Sequence, residues 1–319
     1  MTTKTLILGG AGFIGVHLAR RLQAAGHQVT IVDNFSRGQD DPELAALGVP
    51  VRHADLTDPA AYAALPQEWD QVYMLAAVVG VRNVQNDPAR VARVNTLALM
   101  HLLQWLRPGQ RLFFASTSEV YAGGVSAGLV PVPTPETVPV MIEDVAAPRF
   151  AYAISKLLGE AAVIHTAPAR GIPYVIGRFH NVYGPRMGAD HVIPEMLLRA
   201  IRRQDPFTIY GVDQSRAFCH VDDATEAMAA LMATDAAMGQ LVHIGTDTET
   251  GIGDLAKLVL RVTDFHPALD SQPAPPGSVT RRCPDITKLR ALTGYEPAVS
   301  LEEGVRHTYE WYRAHWKTG

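Results

Sequence analysis

The chain has 319 residues, 47% of them hydrophobic and 19% charged, with a formal net charge of −4. That balance describes a globular chain able to bury a large core. It gives no basic footprint for nucleic acid or an anionic membrane, so a phosphate-bearing ligand has to be held by local arginines. Two cysteines, Cys219 and Cys283, with no Cys-x-x-Cys and no His-rich spacing, argue for a reducing compartment and against a disulfide framework or a metal site.

The first predicted strand, Thr5-Leu6-Ile7-Leu8, is too short for a signal peptide or a membrane span, and a cytoplasmic location is expected. Gly9-Gly10-Ala11-Gly12-Phe13-Ile14-Gly15 follows, and then the helical pattern of residues 16–22. Strand, glycine turn and helix in that order suit a dinucleotide. The glycines let the backbone approach a pyrophosphate, and the helix N-terminus offers N–H groups and partial positive charge. The second strand, residues 28–32, ends in Asp33. An acid about 20 residues after the glycines suits a ribose 2′-hydroxyl and repels a 2′-phosphate, so NAD is expected over NADP, with nearby Arg37 softening the preference.

Further strands are predicted at 49–53, 71–76, 111–115 and 174–178, with helices at 88–106 and 151–167 between them. The repeated order implies an α/β, doubly wound (Rossmann-type) parallel sheet with ligands at the carboxyl ends of its strands. Residues 123–139 read as a long loop that covers a site. Past Gly184, Pro- and Gly-rich loops mark a smaller C-terminal α/β substrate lobe. Residues 1–180 then form the dinucleotide domain, with 216–245 returning to it (a strand and helix at 218–232), and residues 181–215 and 246–319 form the lobe.

Tyr152 and Lys156 lie four apart on the predicted helix 151–167 and so share one face. Using a phenol as a base near pH 7 needs a depression of about 3 pH units, or ~4 kcal/mol. An ammonium about 4 Å away at an effective dielectric of ~20 supplies that order of energy. Ser116-Thr117-Ser118-Glu119 follows the apolar run 112–115, at a carboxyl end beside the expected cofactor.

With the glycine turn, this constellation resembles the extended short-chain dehydrogenase/reductase superfamily. More closely, the chain resembles its NAD-dependent nucleotide-sugar epimerase/dehydratase family. Supporting matches are Asp55-Leu56, Asn95, Arg178 to Pro185, Arg216-Ala217-Phe218 before Val221-Asp222-Asp223, and Arg282-Cys283-Pro284-Asp285-Ile286. The resemblance implies NAD held by Gly9, Gly12, Phe13, Ile14, Gly15, Asp33, Asn34, Asp55, Leu56, Ala76, Asn95, Tyr152 and Lys156. It implies Tyr152 as the base at a sugar C4 hydroxyl, Lys156 on the nicotinamide ribose, and Thr117 as a proton relay. Asn181 and Arg216 would hold the diphosphate of a nucleoside-diphosphate sugar, with a UDP-sugar favoured. Arg186 or Arg282 would meet a sugar carboxylate.

The triplet Thr117-Ser118-Glu119 resembles UDP-glucuronate decarboxylases and also GDP-mannose 4,6-dehydratases, with Ser118 and Glu119 as added catalytic groups and Glu119 suited to moving a proton at C5. The leading expectation is a UDP-glucuronate decarboxylase-like enzyme. A 4-epimerase, a 4,6-dehydratase and a non-catalytic NAD-binding sensor are the alternatives. The chain departs from the family at Tyr73-Met74, where a His commonly precedes the Leu-Ala-Ala run, and at Ala122, usually Gly. It has no arginine at 273–277, where a second diphosphate ligand belongs, so Arg282 has two competing tasks. The resemblance also implies a homodimer, paired through helices 88–106 and 151–167. Bland readings are a local pairing for Glu119, a buried hydrogen-bonding role for His180, a packed thiol at Cys219 and a helix N-cap in Asp222-Asp223.

Overall fold

The computed structural model describes residues 2–37, 41–274 and 278–316; most of the stretch 273–277 lies outside them. In chain order the strands are β1 (Lys4–Leu8), β2 (Gln28–Asp33), β3 (Val51–His53), β4 (Gln71–Met74), β5 (Arg111–Thr117), β6 (Tyr174–Phe179) and β7 (Val182–Tyr183). They continue as β8 (Phe207–Tyr210), β9 (Ser215–Ala217), β10 (Cys219–His220), β11 (Gln240–Ile244), β12 (Glu249–Gly251), β13 (Leu269–Gln272) and β14 (Arg281–Arg282).

Seven of them form a parallel sheet in the order β11-β6-β5-β4-β1-β2-β3. The chain starts in the interior at β1 and winds outward both ways, so the order reverses between β1 and β4. A ligand crevice belongs at that point. Alternation along the strands separates two cores. Ile7 and Phe113 pack with the helices Phe13–Ala24 and Val221–Ala233 on one face. Leu6, Leu8, Leu112 and Phe114 pack with the helices Pro88–Trp105 and Ala151–Thr166 on the other.

The long helices begin where the sequence offers caps. Asp87 accepts from the Arg90 N–H at 2.9 Å with Pro88 in the first turn, a cap worth about 1 kcal/mol. Ser300 caps the C-terminal helix Leu301–His315, which carries Glu302 and Glu303 in its first turn and Arg313 and His315 in its last, as the helix dipole favours. That helix packs with Val192–Ile201 and Ile252–Val262 around a third core that includes Leu197, Phe207 and Val259.

Three expectations are corrected. The strand at 218–232 does not join the central sheet: Cys219–His220 pairs with Val182–Tyr183, and the seventh strand is β11. Residues 123–139 are not wholly loop, because the short helix Ala122–Ser126 opens the segment. Nor does this segment line the cleft described below. Thr134 bonds Cys283 and Asp285 through backbone, so the segment buttresses the strand that carries Arg282.

Candidate active site

A cleft of about 1300 Å³ runs across the carboxyl ends of the central strands and under the C-terminal lobe. One end is built by the turn after β1. Gly9 has φ +80°, and a Cβ there would sit 2.6 Å from the Ala76 backbone, while one at Gly15 would sit 2.5 Å from Gly10. Only glycines let the turn lie this close to the neighbouring strand and the helix pack onto the turn. Asp33 fastens the turn, its carboxylate accepting from Ala11 N at 3.0 Å and Phe35 N at 2.8 Å. Asn34, Asp55, Leu56 and Ala76 line the same end with Phe13 and Ile14. Asp55 accepts from the Thr57 N–H and hydroxyl, which hold its carboxyl below the usual range. Arg37 is committed to the Val79 carbonyl at 3.1 Å. These residues fit a dinucleotide: a cradle that a Cβ would fill, with a fixed carboxylate at its rim.

Asn95 does not reach the cleft. It is buried, its amide oxygen accepting from Val78 N at 2.7 Å and its amide nitrogen donating to Val78 O at 3.2 Å and Ser155 Oγ at 3.1 Å. Its polar atoms fix the wall of the cleft, which corrects the expected cofactor contact.

At the other end β5 runs two residues further than predicted, so Thr117 is its last residue, and a 3-10 turn, Ser118–Tyr121, follows. Thr117 hydrogen-bonds Tyr152 across the cleft. Lys156, itself buried, donates to the Ala115 carbonyl at 2.7 Å and lies 5.9 Å from the centre of the Tyr152 ring. Thr117, Tyr152 and Lys156 therefore converge. The expected electrostatics do not hold in this form. Burial raises the Tyr152 pKa, the Glu119 charge adds to that, and the Thr117 bond only partly offsets it. Burial pulls Lys156 down to about 8, with Glu160 opposing.

Glu119 faces this pair. Its Oε1 accepts from Arg282 Nη1 at 2.6 Å, and the fields of Arg282, then Arg149 and Arg216, hold its carboxyl below the usual range despite burial. Glu119 is thus a carboxylate, not a poised proton donor. Arg216 and Arg282 are register partners on β9 and β14. Burial and the Arg282 charge lower Arg216 to about 10. Arg216 is braced by the carbonyls of Ser215 and Thr280 and by Gln214 Oε1. Two adjacent guanidiniums held in this way make an anion site. Asn181 joins them in lining the cleft with φ +42°, its amide donating to Ala217 O at 3.1 Å.

Arg186 lines the cleft and is already engaged by two carboxylates. Its side chain is 7% exposed and pairs with Asp41 at 2.7 Å and Glu43 at 3.0 Å, while Glu43 also accepts from Trp311 Nε1 at 2.6 Å. The guanidinium joins the loop after β2 to the C-terminal lobe at the edge of the cleft. Arg186→Gln is expected to cost about 2–3 kcal/mol in urea unfolding, since it strands two part-buried carboxylates. An unchanged midpoint would exclude the clasp.

A protein-family model described as the NAD dependent epimerase/dehydratase family matches residues 5–245. The chain belongs to this family. A UDP-N-acetyl-alpha-D-glucosaminuronate decarboxylase of Bacillus cytotoxicus is 34% identical over 98% of this chain and 98% of its own length. UDP-glucuronic acid decarboxylase 1 of Xenopus tropicalis is 31% identical over 97% of this chain and 72% of its own. Among solved structures, UDP-glucose 4-epimerase of Thermotoga maritima with UDP-glucose superposes with a TM-score of 0.87 at 29% identity, covering 99% of this chain and 100% of that one. The family is NAD-dependent, and the cofactor of this member is NAD.

Three cleft-lining residues had no part in the sequence reading. Arg149 lines the cleft three positions before Tyr152, a spacing of one helical turn that was legible. Trp311 and His315 reach the cleft from the far end of the chain and carried no local signal. His180 is buried as expected, but neither ring nitrogen has a hydrogen-bond partner, and it packs 4.6 Å from the His243 ring. Asp222 and Asp223 lie in the first turn of their helix, whose cap is His220. Cys219 is a buried thiol with its pKa raised by burial.

Proposed function

We propose that the chain decarboxylates a UDP-hexuronate, UDP-glucuronate or its C2-N-acetylated counterpart, through a transient 4-keto sugar. The observation that carries this reading is the Glu119–Arg282 pair, which fixes a guanidinium in the cleft beside Glu119, the carboxylate whose charge acts on Tyr152. An epimerase that only turns a keto-sugar needs no such pair. The two tasks of Arg282 separate: Arg216 with Asn181 takes the diphosphate, and Arg282 takes the C6 carboxylate. NAD, when bound, would supply the hydride acceptor and a positive charge that favours loss of the Tyr152 proton.

Tyr152 takes the O4 proton while C4 loses hydride, with Thr117 aligning the hydroxyl and Lys156 favouring the phenolate. The resulting ketone lies β to the C6 carboxylate. The C5–C6 bond breaks, CO2 leaves, and the electron pair enters the C4–O4 enolate, which Tyr152 stabilises by donating its proton. A proton from solvent adds at C5, and hydride return to C4 completes a pentose. The balance is one CO2 released and one proton taken up, with no net oxidation. Incubation of the NAD-loaded protein with UDP-glucuronate is expected to yield CO2 and a UDP-pentose. A C4 epimer with no CO2 would move the assignment to epimerase, and binding with no turnover to a sensor.

A cytoplasmic location is part of the proposal, since the free buried thiols Cys219 and Cys283 suit a reducing compartment; among the described residues no helix is long and apolar enough to cross a membrane. A homodimer is part of the proposal. The helices Pro88–Trp105 and Ala151–Thr166 pack along each other and expose Leu97, Met100, Leu158 and Ile164. Sedimentation at micromolar concentration is expected to give twice the chain mass, and Leu158→Glu to give the single mass. A monomeric parent would refute the dimer.

A further inference from the structure

Behind the acid–base pair runs a chain of buried polar side chains that the reaction above does not use. Ser116 on β5, Glu160 on the Tyr152 helix, Arg178 on β6 and Tyr121 are each at most 5% exposed. Glu160 accepts from Ser116 Oγ, from Arg178 Nε at 2.8 Å and from Arg178 Nη2 at 2.6 Å. Arg178 Nη1 reaches the Tyr121 hydroxyl, which hydrogen-bonds His243 Nε2 at 2.8 Å. A buried ion pair contributes little net stability against an apolar replacement, so a stabilising role alone is a weak account of this one.

Placement supplies a better account. Glu160 stands one turn beyond Lys156 on the same face, as Lys156 stands one turn beyond Tyr152. The two charged side chains grip consecutive residues of β5, Lys156 the Ala115 carbonyl and Glu160 the Ser116 hydroxyl. Thr117, the partner of Tyr152, is the next residue. These fastenings set the register of the helix against the strand where phenol and threonine meet. They also place a carboxylate behind the ammonium.

We infer that Glu160 is a positioning residue for the Tyr152–Lys156 pair, fastening the helix to β5 through Ser116 and standing one turn behind the Lys156 ammonium, with Arg178 fixing its carboxylate. The inference rests on the acid–base role given above to Tyr152 and Lys156. About Lys156 stand Glu160, whose charge acts on it, the Tyr152 ring at 5.9 Å on its own helix, and the Phe114 ring at 5.0 Å and the Ala115 carbonyl on β5. The helix Pro88–Trp105 contributes the neutral Asn95. Burial draws Lys156 down, and Glu160 is the charge that opposes it. Removing that charge lowers the lysine further, so the proton is lost at lower pH.

The test is direct because the chain has five lysines, Lys4, Lys156, Lys257, Lys288 and Lys317. With lysine labelled by 13C at Cε, the Lys156 resonance is assigned by Lys156→Arg and titrated in the full-length protein. Glu160→Gln is expected to move its midpoint down by about one pH unit, and the alkaline limb of kcat should follow at unchanged KM. A Lys156 midpoint that stays in place, whatever the change in melting temperature, overturns the inference. Should Glu160→Gln fail to fold, Ser116→Ala keeps both charges and tests the fastening. A kcat lowered about three- to tenfold at constant KM supports it, and an unchanged kcat overturns it. The titration uses neither cofactor nor substrate, so its failure leaves the decarboxylase reading standing, and absence of CO2 release leaves the titration meaningful.

Discussion

Tyr152→Phe is expected to lower kcat about a thousandfold or more while leaving NAD affinity within a few-fold. The substitution removes one oxygen and keeps the ring, so the packing of Tyr152 against Val78, Val84 and Val91 survives. Asp33, the glycine turn and Lys156 are untouched, and they form most of the proposed cofactor surface. The oxygen that is lost is the one bonded to Thr117. Turnover falls because the O4 proton then has no acceptor as C4 gives up hydride. Steady-state kinetics with UDP-glucuronate, together with NAD titration by calorimetry, checks both halves. Turnover within tenfold of the parent would remove Tyr152 from the chemistry. Lost turnover with lost NAD binding would make it a cofactor-binding residue only.

Glu119→Gln carries the second largest effect. CO2 release is expected to fall about a hundredfold, because Arg282 loses the carboxylate that orients it and swings toward the diphosphate. The variant has a second signature whose sign is opposite. Glu119 raises the Tyr152 pKa by its charge, so neutralising it lets the phenol ionise more easily. The residual activity should therefore have its acid limb displaced to lower pH. A pH profile of kcat for parent and variant reads this directly. An unmoved acid limb, or CO2 release within a few-fold of the parent, would remove Glu119 from the site.

The parts of the site that were legible in the sequence are those set by local spacing. The glycine turn, the i, i+4 pair of Tyr152 and Lys156, and the Ser/Thr cluster after an apolar strand each need one element, and the winding of the sheet brings them together. Asp33 was legible at the rim, but its bond to Ala11 across 22 residues was not. Asn95 was misplaced, and Arg186, though in the cleft, is already paired, for one reason. A polar side chain is drawn to the groups left unpaired around it, and these came from Val78 and Ser155 in one case and from Asp41 and Glu43 in the other. The sign of the Tyr152 shift failed similarly. Periodicity placed Lys156 near the phenol, but burial and Glu119, which spacing does not report, raise the phenol against the Thr117 bond and the Arg37 charge.

The reaction itself is open to a single isotope measurement. UDP-glucuronate carrying deuterium at C4 and 13C at C6 is incubated with the NAD-loaded protein, and gas and product are read by mass spectrometry. Oxidation at C4 before bond cleavage, with the hydrogen returned to the same carbon, predicts labelled CO2 and a UDP-pentose that keeps its deuterium at C4. No labelled CO2, or a pentose whose C4 deuterium has been replaced from solvent, would contradict it.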